Sequence, residues 1–414
     1  MTEKTAQEKY ANASSQVPVR DIFTASLKLG LTSFGGPVAH LGYFHQEYVV
    51  RRQWIEDKAY ADLVALCQFL PGPASSQVGI GIGLRCGGLL GAIAAWLGFT
   101  LPSALLLGLF AMVVQTMNIG ETFWLHGLKL TAVAIVAQAV WGMGIKLVSG
   151  RSKAAIAIGA ASLTLLWPSK LGQVAIIAAA ALLGLIMYRP EKSEAAPKLY
   201  PLPHAAANKH NFNSHRHPLV YIGIYFALLL LLPLLGRWSN GGWVSLADSF
   251  YRAGSLVFGG GHVVLPLLQE EVVPSGWVGL SDFIAGYSAA QAVPGPLFTF
   301  ASYLGAIYGG IPGLVVATTA IFLPAFLLVA GILPLWDRLR SNAAVQRALQ
   351  GIHAAVVGIL LAALYDPIWT SAVFTPFDFV LVLCLFSMLH VWKLPPWCVV
   401  ISGAAGGLLP ELLL

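Results

Sequence analysis

The sequence predicts an all-α integral membrane protein built from two homologous repeats of inverted topology, with Gly/Pro-broken, re-entrant helices. Three observations predict it: the composition, the uncharged runs and an internal repeat. Of 414 residues, 57% are hydrophobic and 10% charged, whereas soluble domains average about 25% charged. Such a chain cannot cover itself with polar surface, so lipid is its solvent. Residues 89–117, 219–236 and 311–336 carry no charge, and about 20 apolar residues suffice for a helix to span a bilayer. A barrel would alternate apolar with polar residues. These runs are apolar all round, which selects helices.

The repeat is read residue by residue. Ser33-Phe34-Gly35-Gly36-Pro37 returns as Val257-Phe258-Gly259-Gly260-Gly261, and Gln46-Glu47 as Glu270-Glu271. Trp54 returns as Trp277, and Gln68-Phe69-Leu70-Pro71-Gly72-Pro73 as Gln291-Ala292-Val293-Pro294-Gly295-Pro296. Gly87-Gly88 matches Gly309-Gly310, Leu101-Pro102 matches Leu323-Pro324, and Gly127 matches Gly351. The expected organisation is a polar tail (1–20), a first repeat (21–188), a polar cytoplasmic linker (189–217), an extra transmembrane helix (218–244) and a second repeat (245–414). The linker holds four prolines and four histidines, His204, His210, His215 and His217, and reads as a solvated tether rather than a metal site. The polar start, with Lys4, Lys9 and Arg20 against Glu3 and Glu8, lacks the apolar core of a cleavable signal.

Loop charges orient the halves. Arg51, Arg52 and Lys58 in the first half face a second-half loop, 268–281, with Glu270 and Glu271 and no Lys or Arg. Loop 118–127 has Glu121 alone, while 337–347 carries Arg338, Arg340 and Arg347. Arg151 and Lys153 have no basic counterpart near Asp366. Each comparison reverses sign, and positive loops stay cytoplasmic, so the halves insert oppositely. The run 219–236, unmatched in the first half, supplies the odd crossing. Four late crossings per half, near 89–117, 129–148, 153–167 and 171–188 in the first, follow two broken stretches at 22–43 and 60–84. Depending on whether the broken stretches cross, about nine to thirteen passages are expected.

Broken helices at matching positions of two repeats point to a transport site. Proline starts a helix well but cannot continue one, so Pro73 and Pro296 should begin new helices. Their first amides are unpaired and carry about half a positive charge, which suits an anion. The candidate substrate-binding set is Phe34, Gly35, Gly36, Pro37, Gln68, Pro71, Gly72, Pro73, Ser75 and Ser76 in the first half, and Phe258, Gly259, Gly260, Gly261, Gln291, Pro294, Gly295, Pro296 and Thr299 in the second. Gly and Pro would equally serve close helix packing or kinks. Arg85, in an apolar stretch, is added as a cation for an oxyanion; the competing reading is snorkelling to the interface. His40, Glu47, His262 and Glu271 are the leading proton-coupling candidates, with His45, Asp62 and Glu270 behind them. Glu47 also reads as an interfacial residue paired with Arg51 and Arg52, and His353 and His390 as packed helix residues. Cys67, Cys86, Cys384 and Cys398 form no CxxC pair, so neither a disulfide nor a metal centre is expected.

With Phe34-Gly35-Gly36-Pro37, Gln46-Glu47, Trp54 and Gln68 to Pro73, each echoed in the second half, the sequence resembles the chromate ion transporter family in its long, two-domain bacterial form. The resemblance covers nearly the whole chain outside the tail and linker. It implies a multi-pass protein of the bacterial cytoplasmic membrane that exports chromate, driven by the proton motive force, and confers chromate resistance. Sulfate, nearly isosteric, is a second expected substrate, and a homodimer is one allowed state. Gly261 stands where the first half has Pro37, so the two copies need not act identically. No nucleotide loop, HExxH, Ser/His/Asp pattern, haem site or flavin site is found. An enzyme, a cofactor and a nucleic-acid partner are therefore not expected; a channel or a sulfate carrier is the nearer rival.

Overall fold

A computed structural model describes residues 17–34, 36–116, 123–167, 170–188, 218–238, 242–258, 261–336 and 342–413. Every regular element among them is helical. The linker histidines and most of the polar tail lie outside the described residues.

The first half begins with α1 (Val19–Thr32) and α2 (Gly36–Phe44), which runs on as a π-turn, His45–Arg51. The two are antiparallel arms of one hairpin: Ser26 Oγ meets Tyr48 OH at 2.8 Å, and Lys28 Nζ meets Glu47 at 2.9 Å. Next come α3 (Asp57–Phe69) and a helix that starts at Ala74 directly after Pro73. A methyl on Gly81 would stand 2.7 Å from Leu63, so this pair is again a hairpin, with Pro71-Gly72-Pro73 at its tip. The helix that starts at Ala74 reverses at Gly87-Gly88, where Gly88 has φ +63°. Its parts, α4a (74–86) and α4b (89–116), fold back so closely that Gly83 and Gly91 leave no room for a side chain. Only glycine takes this positive φ without strain. α5 (Phe123–Leu147), α6 (Arg151–Leu166) and α7 (Lys170–Met187) complete the half.

After α8 (Pro218–Trp238) the plan repeats: α9 (Gly242–Leu256), α10 (Val264–Val272, after a 3-10 turn Gly261–Val263), α11 (Leu280–Ala292), and α12. α12 follows a 3-10 turn, Leu297–Thr299, and reverses at Gly309-Gly310 into α12a (300–308) and α12b (311–332). α13 (Ala343–Ala363, with a π-turn Leu364–Trp369), α14 (Pro376–His390) and α15 (Pro396–Leu413) end the chain. The hairpin contacts recur. Ser249 donates to Glu271 at 2.7 Å, and Tyr303 OH donates to the Asp282 carbonyl at 3.0 Å. Thus α1–α7 correspond to α9–α15, and α8 is the unmatched helix.

Length marks the longest spans, while α6 and α14, with 16 and 15 residues, are about as long as the arm α9 with 15. At 1.5 Å per residue α4a is about 20 Å long and α4b about 40 Å, against a core of about 30 Å. Five stretches are long and apolar enough to cross: Ala74–Gln115, Trp124–Leu147, Pro218–Gly236, Leu297–Leu335 and Ala343–Trp369. In the inverted-repeat plan the hairpins enter and return, and α7, α14 and α15 add shorter apolar helices to the five long ones. Only 6% of the apolar window of α8 is buried in the protein; its other faces meet lipid. Counting passages from Arg51 and Arg52, the basic groups Arg151, Lys153, Arg347 and Lys393 fall on one side, and Lys170 and Arg237 on the other. Asp366 and Glu270 are also on that other side.

The halves interlock. α5 packs against α14 and α15, and α13 against α6 and α7. Gly127 lies on the Gly403 carbonyl, and its repeat partner Gly351 lies on the Ala180 carbonyl, each too close for a side chain. Small residues let helix backbones approach in lipid, where packing rather than water drives association. His126 bonds Asp378 at 2.7 Å and Ser288 donates to the Leu128 carbonyl at 2.6 Å, both across the halves.

Candidate functional site

Hairpins that enter from opposite faces and stop part-way meet tip to tip. The Gly72 amide donates to the Val257 carbonyl at 2.7 Å, and the Gly295 amide donates to the Ser33 carbonyl at 2.9 Å. These bonds are repeat images of each other. Pro37 reaches Gly261, where an added methyl would stand 3.7 Å from the proline ring. Gly72 and Gly295 have φ of +118° and +103°, the left-handed region that favours glycine. The four breaks read from sequence are therefore one junction.

Four helices or turns start here (α2 at Gly36, α4a at Ala74, and the 3-10 turns at Gly261 and Leu297), and four helices end here. Helix starts present unpaired amides and positive potential, helix ends the reverse. The Ser33 and Val257 carbonyls, just past the ends of α1 and α9, are already bonded to glycine amides of the other half. The starts of α2, α4a and the two 3-10 turns lie beside these bonds.

Side chains add to them. Ser33 Oγ, Ser76 Oγ, Gln77 Oε1, Thr100 Oγ1 and Gln291 Nε2 are buried with no hydrogen-bond partner in the structure. Gln77 Nε2 is held by the Pro71 carbonyl at 2.7 Å, which aims the other end of its amide away from the backbone. A buried unpaired polar group costs about 1–3 kcal/mol, so five in one region describe a site built for something polar. His40 lies 3.3 Å from Ser75 Oγ, with its ring edge-on to Phe99 at 5.4 Å. His262 lies 2.6 Å from Tyr287 OH.

The structure brings together Gly36, Pro37, Pro71, Gly72, Pro73, Ser75, Ser76, Gly261, Gln291, Pro294, Gly295, Pro296 and Thr299. Thr299 Oγ1 donates to the Pro296 carbonyl at 2.7 Å, so its lone pairs rather than its proton remain. Phe34 is half-buried against Trp397, ring centres 6.4 Å apart, and Phe258 is also half-buried. Gly35, Gly259 and Gly260 lie outside the described residues. Two residues are not brought in. Gln68 is exposed, unlike its repeat partner Gln291. Arg85 is exposed beside the Gly87-Gly88 turn, about 18 Å along α4a from Pro73, with Glu56 and Asp62 as its opposite charges.

The carboxylate candidates sit in ion pairs one level below the tips. Glu47 accepts from Lys28 at 2.9 Å, Arg52 at 2.8 Å and Arg51 at 3.2 Å. Burial alone pushes its pKa up, but the hydrogen bonds from Arg52, Lys28 and Arg51 outweigh this and hold it down at about 2. Glu271 repeats the arrangement with Arg252 at 3.2 Å, and Arg252 stands where Lys28 does in the first half. Sequence reasoning passed over Gln77, Thr100 and Lys129. Gln77 lies one turn into the helix that Pro73 starts, and Thr100 directly precedes the repeated Leu101-Pro102 pair. Lys129 is 7% exposed in an apolar helix, beside the charge of Asp282. Among the described residues no group of three or more His, Cys, Asp or Glu could hold a metal ion.

Comparison with known proteins agrees with this architecture. The family model described as chromate transporter matches twice, over residues 20–185 and 244–408. A chromate transport protein of Pseudomonas aeruginosa is 28% identical over 399 residues, 93% of this chain and 90% of its own length. A chromate transport protein of Cupriavidus metallidurans is 27% identical over 409 residues, 96% and 94% of the two chains. An uncharacterized transporter of Methanocaldococcus jannaschii is 26% identical over 351 residues, 83% and 82%. No solved structure matches the chain. Two matches to one family, each covering one set of hairpins and the helices behind it, account for most of the residues: this chain belongs to the chromate transporter family.

Proposed function

We propose that the protein exports chromate from the cytoplasm, driven by the proton motive force, and that the tip junction is where the oxyanion binds. The observation that carries the reading is the group of buried, unpartnered donor atoms of Ser33, Ser76, Thr100 and Gln291 beside four helix starts. A tetrahedral dianion needs donors on several sides and positive potential without a full counter-charge. Hydroxyls, an amide and helix starts supply both. A cation would find no carboxylate free at this level, since Glu47 and Glu271 are paired below it. His40 and His262, bonded to Ser75 and Tyr287, are the titratable groups next to the junction through which a proton would act on the donors. The basic loops support a cytoplasmic position for the base of the first-half hairpins, so the two sets of hairpins would gate the site from opposite faces of the cell's inner membrane, and export would relieve chromate toxicity.

The test is chromate uptake into inverted membrane vesicles. Respiration-dependent accumulation of radiolabelled chromate, abolished by an uncoupler, is the expected result. Accumulation no greater than in vesicles lacking the protein would overturn export. Excess sulfate separates substrates: strong competition means that the junction reads charge and shape alone, and labelled sulfate uptake by intact cells would then reassign the direction.

A further inference from the structure

The two halves are not packed alike. In the second half, α11 packs against α5 and α15; in the first, α3 has no comparable packing against α13 and α7, the repeat images of those helices. Side chains record the difference. Ile284 and Ser288 on α11 are buried, whereas their images on α3, Ala61 and Ala65, are exposed, as is Gln68. Ser288 donates to the Leu128 carbonyl at 2.6 Å, a bond that Ala65 cannot make. The seam between α5 and α11 is therefore closed, and its first-half image is open.

Rings fill the outer end of the seam. Trp124 lies against Phe110 with ring centres 6.4 Å apart, Phe110 against Tyr303 at 5.6 Å, and Tyr303 stacks on Phe300 at 6.2 Å. The Tyr303 hydroxyl donates to the Asp282 carbonyl at 3.0 Å, so α5 and α11 start at the same level. The length of α4b separates that level from the Gly87-Gly88 turn, on the side of Arg51 and Arg52. Lys129 follows Leu128 in the seam. It is 7% exposed, yet its ammonium makes no hydrogen bond or ion pair among the described residues. Asp282 feels its charge without being joined to it. Ser288, whose bond fixes this level, is one turn, about 4.5 Å, from Gln291 along α11. An ammonium has three donors and no acceptor, and an unpaired charge away from water is costly, so the position suits an anion.

We propose that the seam between α5 and α11 is the extracytoplasmic gate for the oxyanion, and that Lys129 is the cation the oxyanion meets on leaving the tip junction, an inference that rests on the exporter reading above. In this structure the gate is shut, because the rings, the Ser288 bond and the packed seam separate the junction from that face. Opening parts α11 from α5 and bares Lys129 one turn from the tips. The dianion then passes from helix starts with partial charge to a side chain with a full one. Asp282, at the outer end, presents like charge, which favours release over retention. The reciprocal movement packs α3 on α13 and closes the cytoplasmic side. Ala61 and Ala65 are small enough to allow that close helix approach.

Two experiments test this. In the first, Lys129→Met and Lys129→Arg are compared with wild type for maximal chromate transport rate, equilibrium chromate binding and melting temperature. The expected result for Lys129→Met is a maximal rate at least tenfold lower with binding within threefold of wild type, and recovery of most of the rate in Lys129→Arg. A wild-type rate in Lys129→Met overturns the proposal. So does joint loss of rate and binding in a normally melting protein, which would put Lys129 in the binding site itself. Failure of Lys129→Arg to recover the rate also overturns it, by making the lysine a packing residue. In the second, Ser288→Cys is treated with a membrane-impermeant maleimide, with the unsubstituted protein as background. Slow labelling in intact cells, accelerated at least threefold when the cells are loaded with chromate, is expected. Labelling confined to inverted vesicles, or unchanged by chromate, overturns the gate. If wild type transports no chromate, the exporter reading fails, and the face from which Ser288→Cys reacts still decides which side the seam opens to.

Discussion

The amide of Gly72 bonds the carbonyl of Val257, and their repeat images, Gly295 and Ser33, make the same bond in the opposite sense. Each half thus caps the broken first helix of the other. Neither hairpin set is complete alone, because the carbonyl that ends α1 or α9 would be left bare in the membrane interior, at a cost of several kcal/mol.

The first prediction concerns these glycines. Alanine at Gly295 would place its methyl 2.8 Å from Ser103 Oγ and 3.3 Å from the Phe99 carbonyl, at a φ of +103°. The left-handed backbone alone costs about 1–2 kcal/mol. Gly72→Ala carries the same backbone strain, at φ +118°, but its methyl meets the movable Gln77 side chain at 3.0 Å and the Gly254 carbonyl only at 3.6 Å. Gly295→Ala should therefore lower chromate transport and detergent melting temperature more than Gly72→Ala, and Ser103→Ala should restore part of the loss. Equal effects, or no rescue, would contradict the geometry.

The second concerns the interlock. Gly127 against Gly403 and Gly351 against Ala180 hold α5 and α13 in the grip of the opposite half. Overpacking a tight contact costs about 1–3 kcal/mol. Gly127→Val and Gly351→Val should each lower the melting temperature, and residues 1–200 expressed alone should be degraded unless residues 201–414 are co-expressed. Stable accumulation of the first half alone would show that the repeats fold independently.

Much of this was legible in the sequence, for a physical reason. Gly, Pro and long apolar runs carry the repeat, and a helix break needs the same residue types wherever it falls, so Pro71-Gly72-Pro73 and Pro294-Gly295-Pro296 announced both hairpin tips. The loop arginines announced the inversion. What the sequence hid is side-chain direction. Gln68 and Gln291 are equivalent in the repeat, yet one faces outward and the other has its amide nitrogen buried. Arg85 is conspicuous as a charge in an apolar run, but the reversal at Gly87-Gly88 puts it at the outer end of its arm. The exchange of α5 and α13 between halves joins residues far apart in sequence, such as His126 and Asp378 or Ala180 and Gly351, and leaves no local pattern.

The third prediction uses Glu47. Its folded pKa is depressed from 4.5 to about 2 by Arg52, Lys28 and Arg51, against the opposing pull of burial. A depressed carboxylate stabilises the fold above its unfolded pKa, and the contribution is lost as pH falls through the folded value. Glu47→Gln should thus melt below wild type by a constant margin from pH 8 to about 5, and the margin should shrink below pH 4.5. The pH dependence of transport between pH 6 and 8 should survive the substitution, because Glu47 stays ionised throughout. A transport profile that flattens in Glu47→Gln would return this residue to the proton path.

The last prediction separates the junction from the arms. If the unpartnered hydroxyls bind the oxyanion, Ser76→Ala and Thr100→Ala each remove one donor to a charged ligand, worth about 1.5–3 kcal/mol. The KM for chromate should rise by roughly tenfold or more, while protein level and melting temperature stay near wild type, since these atoms bond nothing in the protein. Arg85→Gln should leave KM within twofold, because the side chain is exposed far along α4a from the tips. The two outcomes are opposed by construction. A raised KM in Arg85→Gln with unchanged Ser76→Ala and Thr100→Ala would move the oxyanion from the tips to the Gly87-Gly88 turn. It would also give the buried hydroxyls a purely structural role.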